Sequence, residues 1–127
     1  MAKQNKIRNK QPEYELQKAV AKYLDLYNFK GEKVLYCASM GGVRTTMRQA
    51  IKMKETGYKR GFPDLFIYEP NNKYNGLAIE LKTKLGYPSK HQKDWINKLS
   101  KRGYYACVCK GLDSTISTIK SYFSNQL

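Results

Sequence analysis

The stretch from Gly61 to Lys82 constrains the fold more than any other part of the chain. Gly61-Phe62-Pro63-Asp64 leads into Leu65-Phe66-Ile67-Tyr68, a run almost wholly apolar, as expected of a strand covered on both faces. Pro63 has no N–H to give to a ladder, so the strand begins at or just after it. Residues Glu69 to Gly76 are rich in Asn, Pro and Gly and read as a turn. Leu77 to Lys82 then forms a second strand. Its alternation sends Leu77, Ile79 and Leu81 one way and Ala78, Glu80 and Lys82 the other. Asp64, Glu80 and Lys82 are thus gathered by one hairpin, in places where core strands rarely keep charge. Two carboxylates and an ammonium are the groups needed to hold a divalent cation and a phosphate.

The flanking sequence builds a mixed α/β fold around this hairpin. Pro12 suits a first helical position, and Glu13 and Glu15 follow where the helix dipole favours them. Leu16, Ala19, Val20, Tyr23, Leu24 and Tyr27 continue at helical spacing, so a helix is expected over about 12–28, ended near Gly31. Val34 to Ala38 reads as a strand running into Ser39-Met40-Gly41-Gly42, where the glycine pair permits close approach to a ligand. A lysine- and arginine-rich helix is expected over about 44–56, stopped by Gly57. After the hairpin, Ser89 and Gln92 form a Ser-x-x-Gln capping box, opening a helix that carries Trp95, Ile96 and Leu99 and closes at Gly103. Tyr104 to Cys109 is the last strand, and Leu112, Ile116, Ile119 and Phe123 mark a closing amphipathic helix. The order αβαββαβα gives a mixed sheet of about four strands with helices on both faces.

With 127 residues, 41 % of them apolar, the chain is long enough for a single core. We expect one domain over 12–127, behind a flexible basic arm at 1–11 carrying Lys3, Lys6, Arg8 and Lys10. The net charge of +14, from 24 Lys and Arg against 10 Asp and Glu, suits a polyanionic partner, nucleic acid before membrane. No apolar run reaches the roughly 20 residues that span a bilayer, and the basic start leads into no signal-peptide core. Three cysteines, an odd number, suit a reducing cytoplasm, with Cys107 and Cys109 read as core thiols. The single histidine, His91, reads as an exposed helix-start residue.

Phosphodiester cleavage fits the charged residues. Asp64 and Glu80 would supply two of the oxygen ligands of Mg²⁺, which keeps several waters. Lys82, on the face of Glu80, would orient the attacking water or offset charge on the phosphate. Glu15 would reach the site from the first helix, and the Gln92 amide would bond to phosphate or a metal-bound water. Gly42, Arg44, Lys59, Arg60 and Lys84 are the candidate nucleic-acid contacts. The alternative is a basic nucleic-acid-binding module without catalysis, which gives no reason for carboxylates within a basic surface.

The ordered set of residues is more specific than the motif alone. Glu15-Leu16-Gln17, Gly41-Gly42-x-Arg44, Lys54-x-x-Gly57-x-x-x-Gly61-x-Pro63-Asp64-Leu65, Glu80-Leu81-Lys82-Thr83 and Ser89-x-x-Gln92-x-x-Trp95 together resemble the virus-type replication-repair nuclease domain, VRR-NUC. That domain is a branch of the PD-(D/E)xK nuclease superfamily. The resemblance implies a restriction-endonuclease-like fold and a Mg²⁺-dependent nuclease in which Mn²⁺ can substitute. It implies Asp64, Glu80 and Glu15 as metal carboxylates, the Leu81 carbonyl as a further ligand, Lys82 as the catalytic lysine and Gln92 as an accessory residue. It further implies a homodimer acting on branched DNA such as Holliday junctions. With no separate recognition domain in the sequence, structure-selective cutting is expected over sequence-specific cutting. Binding to DNA should weaken steeply with salt, because released counterions drive it; a filter-binding series showing a flat salt response would remove nucleic acid as the partner.

Overall fold

The computed structural model describes residues 12–39 and 45–127. The basic arm expected at 1–11 and the glycine-arginine turn, including Gly42 and Arg44, lie outside the described residues. The elements are α1 (Pro12–Leu26), β1 (Asn28–Phe29), β2 (Glu32–Lys33), β3 (Tyr36–Ala38), α2 (Met47–Glu55), β4 (Leu65–Ile67), β5 (Leu77–Lys82), α3 (Lys90–Ser100), β6 (Tyr105–Lys110) and α4 (Leu112–Phe123).

Four strands form one sheet in the order β3-β4-β5-β6. The pairs β3/β4 and β4/β5 are antiparallel and β5/β6 is parallel, so the sheet is mixed, as expected. The parallel pair needs a crossover, and α3 supplies it. The strand alternation divides the core in two. Leu65, Ile67, Leu77, Ile79 and Leu81 pack with Val20 and Leu24 of α1 and Ile119, Tyr122 and Phe123 of α4. Phe66 and Ala78 face the other way, onto Leu99 of α3, with Phe62, Trp95 and Tyr104 against them. The result is three layers with β4 and β5 central, each strand buried on both faces.

Two local features differ from the sequence reading. The helix stops at Leu26, and a small hairpin, β1 with β2, occupies the segment expected to finish it. Lys30 and Gly31 both take positive φ, 53° and 82°, the conformation of a two-residue hairpin turn. The helix after the glycine turn runs from Met47 and buries none of its residues. A second capping box, Thr46 with Gln49, starts it, and the sequence reading missed this signal. Cys109 belongs to the core, and Cys107 packs against it.

The turn between β4 and β5 is built as its composition suggests. Asn71 Oδ1 accepts from the N–H groups of Lys73 and Tyr74. Its amide donates to the Tyr122 carbonyl at 3.1 Å, while the Tyr122 hydroxyl donates to the Glu69 carbonyl at 2.6 Å. These bonds fasten the far end of the hairpin to α4. The near end is fastened to α3. Trp95 Nε1 donates to the Arg60 carbonyl at 3.1 Å, and Gly61, at φ 89°, lies so close to α3 that a Cβ there would sit 2.6 Å from the His91 carbonyl carbon. Gly61→Ala should therefore push the start of α3 away and destabilise the fold by more than about 1–3 kcal/mol, the cost of left-handed strain alone. Gly57→Ala, at φ 109° with nothing within 4 Å, serves as the strain-only control. Denaturant midpoints of the two variants check this, and equal losses would show that contact with α3 is unimportant.

Candidate active site

Alternation and register bring Asp64 and Glu80 together. Asp64 precedes Leu65, so it shares a face with Phe66, the face that looks toward α3. The pairing of Leu65 with Ile79, taken one step further, sets Asp64 across from Glu80. Asp64 Oδ2 accepts from the Leu81 N–H at 2.7 Å, which pins the carboxylate to β5. Glu80 is 2 % exposed, in the middle of a strand that is otherwise apolar up to Lys82.

Gln92 shows why the α3 capping box is placed here. Its Oε1 accepts from the Ser89 N–H at 2.8 Å, completing the cap. Its Nε2 donates to Glu80 Oε1 at 2.7 Å. One side chain thus starts the helix and aims a buried carboxylate. Lys82 Nζ lies 3.6 Å from the same oxygen. The other oxygen, Glu80 Oε2, is buried and finds no hydrogen-bond partner among the described residues. An ionised carboxylate left this way is costly, and the electrostatics register it. Burial first, then the charge of Asp64, pushes Glu80 up from 4.5 to about 8, against the downward pull of Lys82. Asp64 is raised as well, chiefly by burial, although the Leu81 N–H and Lys82 pull it down.

Glu13 of α1 adds a smaller upward push on Asp64 through its charge. Glu15, the expected ligand, lies two residues further along the same helix. At about 100° per residue, Glu13 lies roughly 20° round α1 from buried Val20, whereas Glu15 lies roughly 140° away. Both Glu13 and Glu15 are exposed. Among the described residues no three His, Cys, Asp or Glu side chains form a metal-holding cluster. Of the basic candidates, Lys59, Arg60 and Lys84 are exposed. His91 is exposed at the start of α3.

The residues fit a divalent cation. Two buried carboxyl groups close enough to share a proton are the electrostatic arrangement a cation relieves, and Mg²⁺ commonly takes only one or two carboxylates while keeping its waters. Without the cation, the folded state holds a proton on Glu80 that the unfolded chain releases near pH 4.5. The stability from this group is complete below that pH and is lost as pH rises toward about 8. Unfolding in EDTA across this window should show stability falling with pH, and Glu80→Gln should flatten the slope. An equal slope in the variant would place the titration elsewhere.

No helix among the described residues is long and apolar enough to cross a membrane. The family model for the VRR-NUC domain matches residues 3–113. A solved structure described as a VRR_NUC domain protein superposes with a TM-score of 0.77 at 36 % identity, covering 88 % of each chain. No curated protein matches. The family match spans the sheet and helices that carry Asp64, Glu80, Lys82 and Gln92, and on both grounds the chain belongs to the VRR-NUC family.

Proposed function

We propose that this protein is a Mg²⁺-dependent endonuclease that hydrolyses DNA phosphodiester bonds, with Mn²⁺ able to substitute, and that it selects its substrate by DNA structure, branched DNA before linear duplex. The observation that carries the reading is the buried Asp64–Glu80 pair with Glu80 Oε2 left without a partner. Membership of a nuclease family supports the reaction class. A basic binding module leaves that pair unexplained, since it would do better with no carboxylate inside its phosphate-binding face.

Asp64 and Glu80 would hold the cation, which when bound polarises the phosphoryl oxygen and supplies a nucleophilic water. In a strand the N–H and C=O of one residue point to the same side. The Leu81 N–H points at Asp64, which supports its carbonyl as the further ligand. Gln92 holds Glu80 in its orientation through the 2.7 Å bond. Lys82, with its side chain 14 % exposed, has one side toward Glu80 and one toward solvent, where phosphate arrives. It would orient the attacking water and offset charge growing on the phosphate. Lys59, Arg60 and Lys84 contribute to the basic surface that draws the backbone in. The preference for branched DNA and a homodimer with two sites for paired cuts belong to the same proposal.

Incubation of the protein with a labelled four-way junction, linear duplex and single strand, with and without Mg²⁺, tests this directly. Cutting that needs the metal and favours the junction is expected. Asp64→Asn and Glu80→Gln should each lower the cutting rate by at least a hundredfold while leaving DNA affinity equal or higher, because each removes a negative charge. No metal-dependent cutting of any substrate would remove the nuclease assignment, and parallel loss of binding and cutting would make these carboxylates structural.

A further inference from the structure

Beside the carboxylates lies a cavity that the chemistry above does not use. Its volume is about 480 Å³, within the range of roughly 300–1,000 Å³ typical of small-ligand sites. Trp95, Phe62, Tyr58 and Met53 form apolar walls, and Ser39 and Lys59 supply polar groups. Three of these are tied to the site from three separate elements. The Ser39 N–H donates to the Asp64 carbonyl at 2.9 Å. Phe62 stands two residues before Asp64, and Trp95 stands one helical turn after Gln92. Phe62 and Trp95 meet edge to face at 5.1 Å, and the Trp95 indole is locked to the Arg60 carbonyl. The wall formed by Phe62 and Trp95 is therefore pre-organised. Ser39 Oγ is buried and has no partner among the described residues.

We infer that this cavity receives one unstacked nucleobase of the DNA strand whose phosphate meets Asp64 and Glu80. The inference rests on the nucleic-acid reading above and specifies how structure is selected. Aromatic walls accept the face of any base, so the pocket is tolerant of sequence. The Ser39 hydroxyl and the Lys59 ammonium can bond to a base edge, and the strongly basic chain brings a polyanion rather than a peptide to this surface. A base inside intact duplex must first leave its stack, whereas a base at a branch or bulge is already free to enter. The cavity thus favours distorted DNA at the site of cutting.

The chain has a single tryptophan, Trp95, in the wall of the cavity, so its fluorescence reports occupancy without added labels. The intact protein in EDTA is titrated with three duplexes of equal length: fully paired, with one unpaired nucleotide, and with an abasic site in place of that unpaired nucleotide. We expect Trp95 quenching with the unpaired base only, and affinity for that probe on the order of tenfold above the abasic one. Tyr58→Ala should remove most of this preference and leave binding to the paired duplex unchanged, with an unaltered melting curve to show that it folds. Equal quenching and affinity for the base and abasic probes would overturn the inference. So would Trp95 emission that changes with protein concentration in the absence of DNA, because a second copy would then cover the cavity. Base preference without Mg²⁺-dependent cutting supports the cavity and overturns only the nuclease chemistry; cutting without base preference does the reverse.

Discussion

The burial of Glu80 beside Asp64 is the interaction on which the rest of this structure depends. Two acidic groups facing each other across β4 and β5, one of them almost fully enclosed, oppose folding unless something holds them. Apolar packing on the opposite face of the same strands offsets the cost. Leu77, Ile79 and Leu81 bury completely or nearly so against α1 and α4, and each such side chain contributes about 1.5–3 kcal/mol. Every second residue of β5 stabilises the sheet so that the residues between can be chosen for chemistry.

The surrounding polar contacts aim the pair rather than neutralise it. The Leu81 N–H fixes Asp64, the Gln92 amide fixes one oxygen of Glu80, and Lys82 stands at 3.6 Å. None of them reaches Glu80 Oε2. The arrangement is well ordered and short of positive charge, unlike a finished ion pair. The same loop that presents Asp64 also packs on α3 through Gly61 and Arg60 and lines the aromatic cavity through Phe62. Carboxylates and cavity are thus positioned by one set of contacts.

Much of the fold was legible because the signals are local. The β4–β5 hairpin follows from an apolar run, an Asn- and Gly-rich turn and a second apolar run, and α3 follows from Ser89 and Gln92. Asp64, Glu80, Lys82 and Gln92 could be grouped because alternation and a capping motif fix their directions. What was not legible depended on angle and depth. The charge that Glu13 brings to Asp64 depends on how α1 lies against the hairpin, which no local pattern states. The β1–β2 hairpin was hidden because Lys30, a residue without a turn preference, takes positive φ beside Gly31. The cavity joins residues 39, 53, 58, 62 and 95, which no spacing rule connects.

The sequence by itself determined the element order, the strongly basic surface and the placing of Asp64, Glu80 and Lys82 on one hairpin, because periodicities of 2 and 3.6 are written residue by residue. Only the tertiary structure decided that Glu80 is enclosed while Lys82 remains partly open, that Gln92 bonds to Glu80 as it caps α3, and that the charge of Glu13 reaches Asp64. The reason is physical. Burial and electrostatic shift arise from what packs over a residue, and here that covering comes from α1, α3 and α4, none of them part of the hairpin they enclose.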